Sequence, residues 1–281
     1  MLNKVRVKVY GKINLSLNIT GVKDGYHMLD SVVASVSIAD TITVRDRLDD
    51  KINLFFNADF TPQNNTVIKA VNELRKSFGP FGADIVVDKQ LPLAGGMGGS
   101  SADAAGVIAA LSKLFDFDKR GLNERKISSS VGSDVYYMLN GGYARLRGKG
   151  DEITSIDCDK EMGLVYILDS GVETSEVYAT FDKIGGDGFV DNDMLIKSLP
   201  VCEKLHLGNM LFKAASSLNT RILHNAEALS GLGLSPNMTG SGSTVYAFSD
   251  DPIGDVARLK EKGFDAYCAS TLPYGIKFEE N

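Results

Sequence analysis

The stretch Pro92-Leu-Ala-Gly-Gly-Met-Gly-Gly-Ser-Ser-Ala-Asp-Ala-Ala105 sets four glycines and two serines between an apolar strand, Ala83–Val87, and an alanine-rich helix reaching about Phe115. Glycine lacks a Cβ, so the backbone at Gly95, Gly96, Gly98 and Gly99 can close on a ligand. Ser100 and Ser101 stand at the helix start, where free N–H groups and the dipole favour an anion. The segment reads as a phosphate cradle made of backbone; the competing reading is a glycine-rich turn with an ordinary serine cap. Two familiar phosphate loops do not fit. The G-x-G-x-x-G fingerprint laid on Gly96 and Gly98 needs a third glycine at Ser101, and the P-loop laid on Gly148-Lys149 needs a glycine at Tyr143 and a hydroxyl at Gly150. Asp103 lies in the first helical turn, where the dipole accounts for an acid better than metal ligation does.

Upstream, Val5, Val7 and Val9 alternate with Arg6 and Lys8, and Ile13, Leu15, Leu17 and Ile19 alternate with Asn14, Ser16 and Asn18. That period of two predicts half-buried strands. Thr41–Val44 and Ile52–Phe56 read as further strands. Thr66–Phe78 reads as a helix with Val67, Ala70, Val71 and Leu74 on one face. Downstream, a short helix is expected over Val131–Leu139, then strands at Tyr143–Leu146, Glu152–Thr154 and Gly163–Leu168. Lys183–Gly188 reads as a loop. Helices at Leu211–Leu218, Ile222–Leu229 and Val256–Lys262 are interleaved with strands at Ser243–Phe248 and Phe264–Ala269. The pattern is α+β, with a boundary expected near Cys158 that separates residues 1–157 from 158–281.

The 281 residues suffice for one large domain or two modest ones. A formal charge of −6 offers no basic footprint for nucleic acid or an anionic membrane, so an anionic substrate needs a local positive patch. No apolar run approaches the ~20 residues that span a bilayer, and the first residues lack the apolar core of a signal peptide. Cys158, Cys202 and Cys268 suit neither a disulfide framework nor a zinc site. A cytoplasmic monomer or homodimer, without nucleic-acid or membrane partners, is the expectation.

Three segments resemble, in order, the motifs of the GHMP kinases (galactokinase, homoserine kinase, mevalonate kinase and relatives). Tyr10-Gly-Lys-Ile-Asn-Leu15 is similar to the first motif, Pro92–Ala102 to the ATP loop, and Met238-Thr-Gly-Ser-Gly-Ser-Thr-Val245 to the third. Asp24-Gly-Tyr-His-Met-Leu29, Gly132-Ser-Asp-Val135 and Gly171–Tyr178 are similar to segments of members that act on a cytidine diphosphate-linked alcohol. The likeness implies a two-domain fold: an N-terminal half like the second domain of a small-subunit ribosomal protein, and a ferredoxin-like C-terminal half. It implies ATP, Mg²⁺ and phosphorylation of a hydroxyl in isoprenoid precursor synthesis. Lys12 and Asp134 would be the catalytic pair. ATP would be held by Asn65, Pro92, Leu93, Ala94, Gly95, Gly96, Met97, Gly98, Gly99, Ser100, Ser101, Gly240, Ser241 and Gly242. Substrate would be held by Asn14, Gly25, Tyr26 and His27.

Taken alone, Asp134 would be a helix-start acid and Lys12 a solvent-facing strand lysine. The resemblance turns both inward. An aspartate can accept the proton of the attacking hydroxyl, a lysine can neutralise the transferred phosphate, and Asn14 shares the strand face of Lys12. Tyr26 and His27, in an expected loop, offer rings that stack on a base and hydrogen-bond its edge. His206 and His224 have no motif partner and are assigned to structure. No acidic metal ligand is identified; the hydroxyls of Ser100 and Ser101 are the candidates. A GHMP kinase for homoserine or a sugar is the alternative that Tyr26-His27 opposes. A non-catalytic nucleotide binder is the alternative that Lys12 with Asp134 opposes. The chain departs from the family pattern at Ala94, Met97 and Tyr136, and around Gly208-Asn209-Met210.

Overall fold

The computed structural model describes residues 3–57, 65–201 and 205–279, so Cys202 lies outside the described residues. The alternating valines build β1 (Lys4–Asn14), and the pattern continues into β2 (Ser16–Lys23). The half-buried alternation holds where Arg6 and Lys8 stay exposed between buried Val7 and Val9, but from Ile13 to Asn18 the chain is covered on both faces: Asn14, Ser16 and Asn18 are 4%, 0% and 1% exposed. Residues from the C-terminal part of the chain close over the polar face, and hydrogen bonds take the place of water there. The turn between β2 and β3 (Tyr26–Arg47) is Asp24-Gly25, both at positive φ. Tyr26 and His27 therefore open a strand and do not lie in a loop. β3 pairs with β1, β2 and three later strands; its middle is a continuous buried run, Ser31–Val36, with no alternation to mark it.

β4 (Ile52–Phe56) precedes α1 (Thr66–Phe78), whose buried stripe is Val67, Ala70, Val71 and Leu74, as the periodicity requires. Asn65 caps α1, and Gly79 at φ 88° ends it. β5 (Gly82–Asp88) runs to the glycine loop, and α2 (Gly99–Phe115) leaves it. Ala102, Ala104 and Ala105 are fully buried, and Gly106 lets the helix lie close on the sheet: a Cβ there would stand 2.6 Å from Ile42 Cγ1. The single helix expected over 131–139 is two. α3 (Glu124–Val131) stops at the extended Gly132, and Ser133-Asp134 turns the chain into α4 (Val135–Asn140).

β6 (Tyr143–Gly148) and β7 (Glu152–Ile156) form a hairpin beside β3. After β8 (Gly163–Ile167) come α5 (Thr174–Ile184) and α6 (Asn192–Ser198), neither of them anticipated. Lys183 and Ile184 belong to α5, so the expected loop begins at Gly185. Then follow β9 (Gly208–Asn209), α7 (Phe212–Leu218), α8 (Thr220–Ser230), β10 (Asn237–Met238), β11 (Val245–Phe248), α9 (Pro252–Glu261), β12 (Ala266–Leu272) and β13 (Ile276–Phe278). α9 starts four residues before its expected Val256, because Asp251 caps it and Pro252 suits the first turn.

The main sheet path runs β10-β11-β8-β12-β3-β1-β13. β12 is the joint: it pairs with β8 along Ala266–Ser270 and with β3 through Thr271 and Leu272. One core lies between α1, α2 and the N-terminal strands, a second under α5, α7 and α8. A third, built on Ile13, Leu15, Met97, Tyr166 and Tyr246, fills the seam where the glycine loop sits. The α+β class expected from the sequence holds.

Candidate active site

Asp40 fixes the approach to the glycine loop. Its Oδ1 accepts from the N–H groups of Gln90 (2.6 Å) and Leu91 (2.8 Å), and its Oδ2 accepts from Lys89 Nζ at 2.5 Å. Lys89 also donates to Asp103 at 2.8 Å, so one ammonium is shared by two buried carboxylates. Burial pushes the Asp103 carboxyl up to about 7; Lys89 pulls it back and the charge of Asp40 adds to the rise. Asp103 is thus more than a dipole-favoured helix residue: it closes an ion cluster under the loop. Lys89→Met would leave two carboxylates buried without a cation. It is expected to cost about 3–5 kcal/mol of stability, read from the urea midpoint; an unchanged midpoint would show the cluster to be dispensable.

Within the loop, Gly96 and Gly98 take φ of 74° and 77°, and Ala94 adopts the left-handed region at 54°. A Cβ on Gly96 would lie 2.2 Å from the Thr239 carbonyl oxygen, so loop and third motif meet backbone to backbone. Thr239 Oγ1 donates to Gly96 O at 3.1 Å, and Lys12 N donates to Met97 O at 3.0 Å. Gly98 supplies no side-chain cap to α2, which leaves the first N–H groups of the helix open to an anion. Pro92 to Ser100, with Phe56, Lys89 and Asp103, line a cleft of about 470 Å³. Asp103 Oδ1 has no hydrogen-bond partner there.

A second cleft of about 910 Å³ shares Gly96, Gly98 and Ser100 with the first. It gathers Lys12, Asn14, Gly25, Tyr26, His27, Ser101, Asp134, Gly240 and Ser241 from five separate segments. Lys12 is buried and donates from Nζ to Asn14 Oδ1 at 2.6 Å. Burial lowers its pKa, and the charge of Asp134 opposes that shift. Asp134 lies under the β6–β7 turn: a Cβ on Gly150 would be 3.7 Å from its Oδ1. His27 Nε2 meets Asp182 Oδ1 at 2.8 Å, and its ring lies 4.7 Å from that of Tyr178 at 34°. Tyr26 is 59% exposed, and Lys149 Nζ lies 3.8 Å from its ring centroid.

Asn65 and Gly242 line neither cleft. The Asn65 side chain accepts from Val67 N at 2.9 Å, while the neighbouring Thr66 Oγ1 donates to Ser100 O at 2.6 Å. Gly242 N closes the third-motif turn on Thr239 O. His224 packs on Phe264, away from both clefts. Lys149, Tyr178 and Asp182 line the larger cleft without a sequence signal that marks them as site residues. In the sequence Tyr178 ends a segment similar to family members, Lys149 stands only in the P-loop match that fails, and Asp182 has no local signal. Asn209 stands in the sequence only within a departure from the family pattern. It donates to the carbonyls of Met238 and Gly240 (2.8 Å each) and so shapes the third motif. Among the described residues, no group of three or more His, Cys, Asp or Glu is placed to hold a metal, and no helix is long and apolar enough to cross a membrane.

A glycine loop that opens a helix, pressed on a second small-residue turn, with a buried lysine and an aspartate in the cleft beside it, defines a class of phosphotransferase. The description "GHMP kinases N terminal domain" matches residues 65–142, relatives match nearly the whole chain, and the chain belongs to the GHMP kinase family. It is 30% identical to the 4-diphosphocytidyl-2-C-methyl-D-erythritol kinase of Clostridium beijerinckii over 281 residues, 95% of this chain and all of that protein. A crystal structure of 4-(cytidine 5'-diphospho)-2C-methyl-D-erythritol kinase shares the fold with a TM-score of 0.79, at 24% identity over 95% of this chain and 99% of that one. Homoserine kinase from Cytophaga hutchinsonii shares it at 0.72, with 14% identity over 98% and 97%.

Proposed function

We infer that this chain transfers the γ-phosphoryl group of ATP to a hydroxyl of 4-diphosphocytidyl-2-C-methyl-D-erythritol, in non-mevalonate isoprenoid precursor synthesis. The observation that carries the reading is one cleft lined together by Lys12 and Asp134, by Gly96, Gly98 and Ser100 of the phosphate loop, and by the Tyr26, His27 and Tyr178 side chains. The hydroxyl oxygen forms a bond to the γ-phosphorus as the bond to the β–γ bridging oxygen breaks, and ADP leaves with that electron pair. Asp134 accepts the hydroxyl proton. The Lys12 ammonium and the free N–H groups at the head of α2 stabilise charge on the transferred group. Lys12 and Lys149 give this acidic chain the local positive patch that a diphosphate linker needs. Asp182 holds the His27 ring, and the aromatic faces suit a cytosine.

The Cβ-free cradle and the two serine hydroxyls at the head of α2 fit a nucleotide carrying Mg²⁺, and Ser100 or Ser101 would hold that ion beside the phosphates. When bound, that ion neutralises phosphate charge.

ADP release by the purified protein with Mg-ATP tests the reading. Turnover is expected with the cytidyl acceptor and not with homoserine, mevalonate or galactose; activity confined to one of the latter would overturn the assignment. His27→Ala is expected to raise the KM of the cytidyl acceptor about tenfold, within the ~1–3 kcal/mol of a lost base contact, and to leave the KM of ATP unchanged. Equal losses for both substrates would remove His27 from the acceptor site.

A further inference from the structure

We propose that Ser31 is a positioning residue that sets which way round the Asn14 side-chain amide lies and, through it, where the Lys12 ammonium is held. The proposal rests on the reading of Lys12 as the cation that meets the transferred phosphoryl group. Asn14 Oδ1 lies 2.6 Å from Lys12 Nζ, 2.9 Å from Gly240 N and 3.3 Å from Thr239 Oγ1. An ammonium and a backbone N–H only donate, so the amide atom that faces them is the oxygen. The amide nitrogen must then face Ser31 Oγ, and it does, at 2.9 Å.

A hydroxyl carries one hydrogen. That of Ser31 goes to the Ser16 carbonyl oxygen, which only accepts, so Ser31 Oγ is committed to accepting from Asn14. Every donor and acceptor in the chain is thereby fixed. Ser16 is clamped in turn: its own hydroxyl donates to Asn192 Oδ1 at 2.5 Å and accepts from Val32 N at 2.9 Å. Asn192, at the start of α6, donates to Asp30 O at 3.0 Å. All four polar side chains are buried.

Without the Ser31 hydroxyl, the Asn14 amide group has no acceptor on that side, and a buried unpaired donor is destabilised where it stands. A half-turn of the amide would set its NH₂ against the Lys12 ammonium. Asp134, at the head of α4, is the charged group that acts on Lys12; the loop presents the Gly98 backbone, and the third motif presents Thr239 and Gly240, all uncharged. The titration of Lys12 therefore reports the state of the Asn14 amide.

The test combines steady-state kinetics with ¹⁵N-lysine NMR of Lys12 in the wild type, Ser31→Ala and Ser31→Thr. Ser31→Ala is expected to lower kcat roughly 10- to 100-fold, the scale of a misplaced catalytic group, with both KM values within about twofold. Its Lys12 is expected to titrate at lower pH, because the ammonium loses an acceptor; Ser31→Thr restores both. In an Asn14→Ala background, adding Ser31→Ala is expected to change neither reading. A wild-type Lys12 titration in Ser31→Ala, or a further full loss in the double variant, would overturn the proposal. If Ser31→Ala does not fold, Ser31→Cys, near-isosteric and a weak partner, is expected to give an intermediate shift, and an unshifted Lys12 would be decisive against it. A wild type silent on the cytidyl acceptor would overturn the assigned reaction, while the Lys12 titration would still decide the role of Ser31.

Discussion

Asp134→Asn is expected to lower turnover by about 10²- to 10⁴-fold, the range for loss of a positioned proton acceptor, with ATP affinity within about twofold of wild type. The substitution keeps the shape of the side chain and one acceptor, so the turn from Gly132 into α4 should persist. What it removes is the basic site. Asp134 lines the larger cleft and not the one formed by Pro92 to Ser100, which is why nucleotide binding should be spared. A second consequence has a definite sign. Burial already lowers the pKa of Lys12, and the charge of Asp134 works against that shift. With Asn in its place, Lys12 loses its proton at a lower pH, so the alkaline fall in residual kcat should move down. Stopped-flow binding of a fluorescent ATP analogue and a pH–rate profile separate these effects. Unchanged turnover would reject Asp134 as the proton acceptor; parallel losses in turnover and ATP affinity would place it in the nucleotide site.

The parts of this molecule that could be read from sequence are those whose cause is local. Thr66–Phe78 announces itself by its apolar stripe, and the glycine loop by residues that only a close backbone approach requires. The parts that could not be read owe their character to distant neighbours. Asn14, Ser16 and Asn18 have the pattern of a solvent-facing strand edge, yet they bond to Ser31, Asn192 and the Val190 backbone across the seam. Polar alternation records where hydrogen bonds go; whether water or protein supplies them is a tertiary matter. Lys89 finds Asp40 from 49 residues away, and nothing around either one signals it. α5 buries Val177 fully and Phe181 partly in the second core, while Thr174, Ser175, Tyr178, Ala179 and Asp182 line the larger cleft, so one helix serves two surroundings that its local sequence does not separate.

Gly96→Ala is expected to weaken ATP binding about 100-fold or more, whereas Gly121→Ala, at nearly the same φ, is expected to leave binding intact. The pair separates two costs. At φ 74° and 83°, alanine pays a left-handed strain of roughly 1–2 kcal/mol at either position. Around Gly121 nothing lies within 4 Å of an added Cβ, so its substitution should appear only as a lower urea midpoint. At Gly96 the new Cβ would stand 2.2 Å from Thr239 O and 3.1 Å from Gly242 O, both backbone atoms that cannot rotate aside. The loop would have to swing away from the third motif, breaking the Thr239–Gly96 bond and moving the wall that both clefts share. A displacement of about 1 Å at such a wall is worth about two orders of magnitude. Isothermal titration of each variant with ATP, beside its denaturation curve, gives the comparison. A Gly96→Ala protein that bound ATP as tightly as wild type would mean that the loop does not cradle the nucleotide in contact with the third motif.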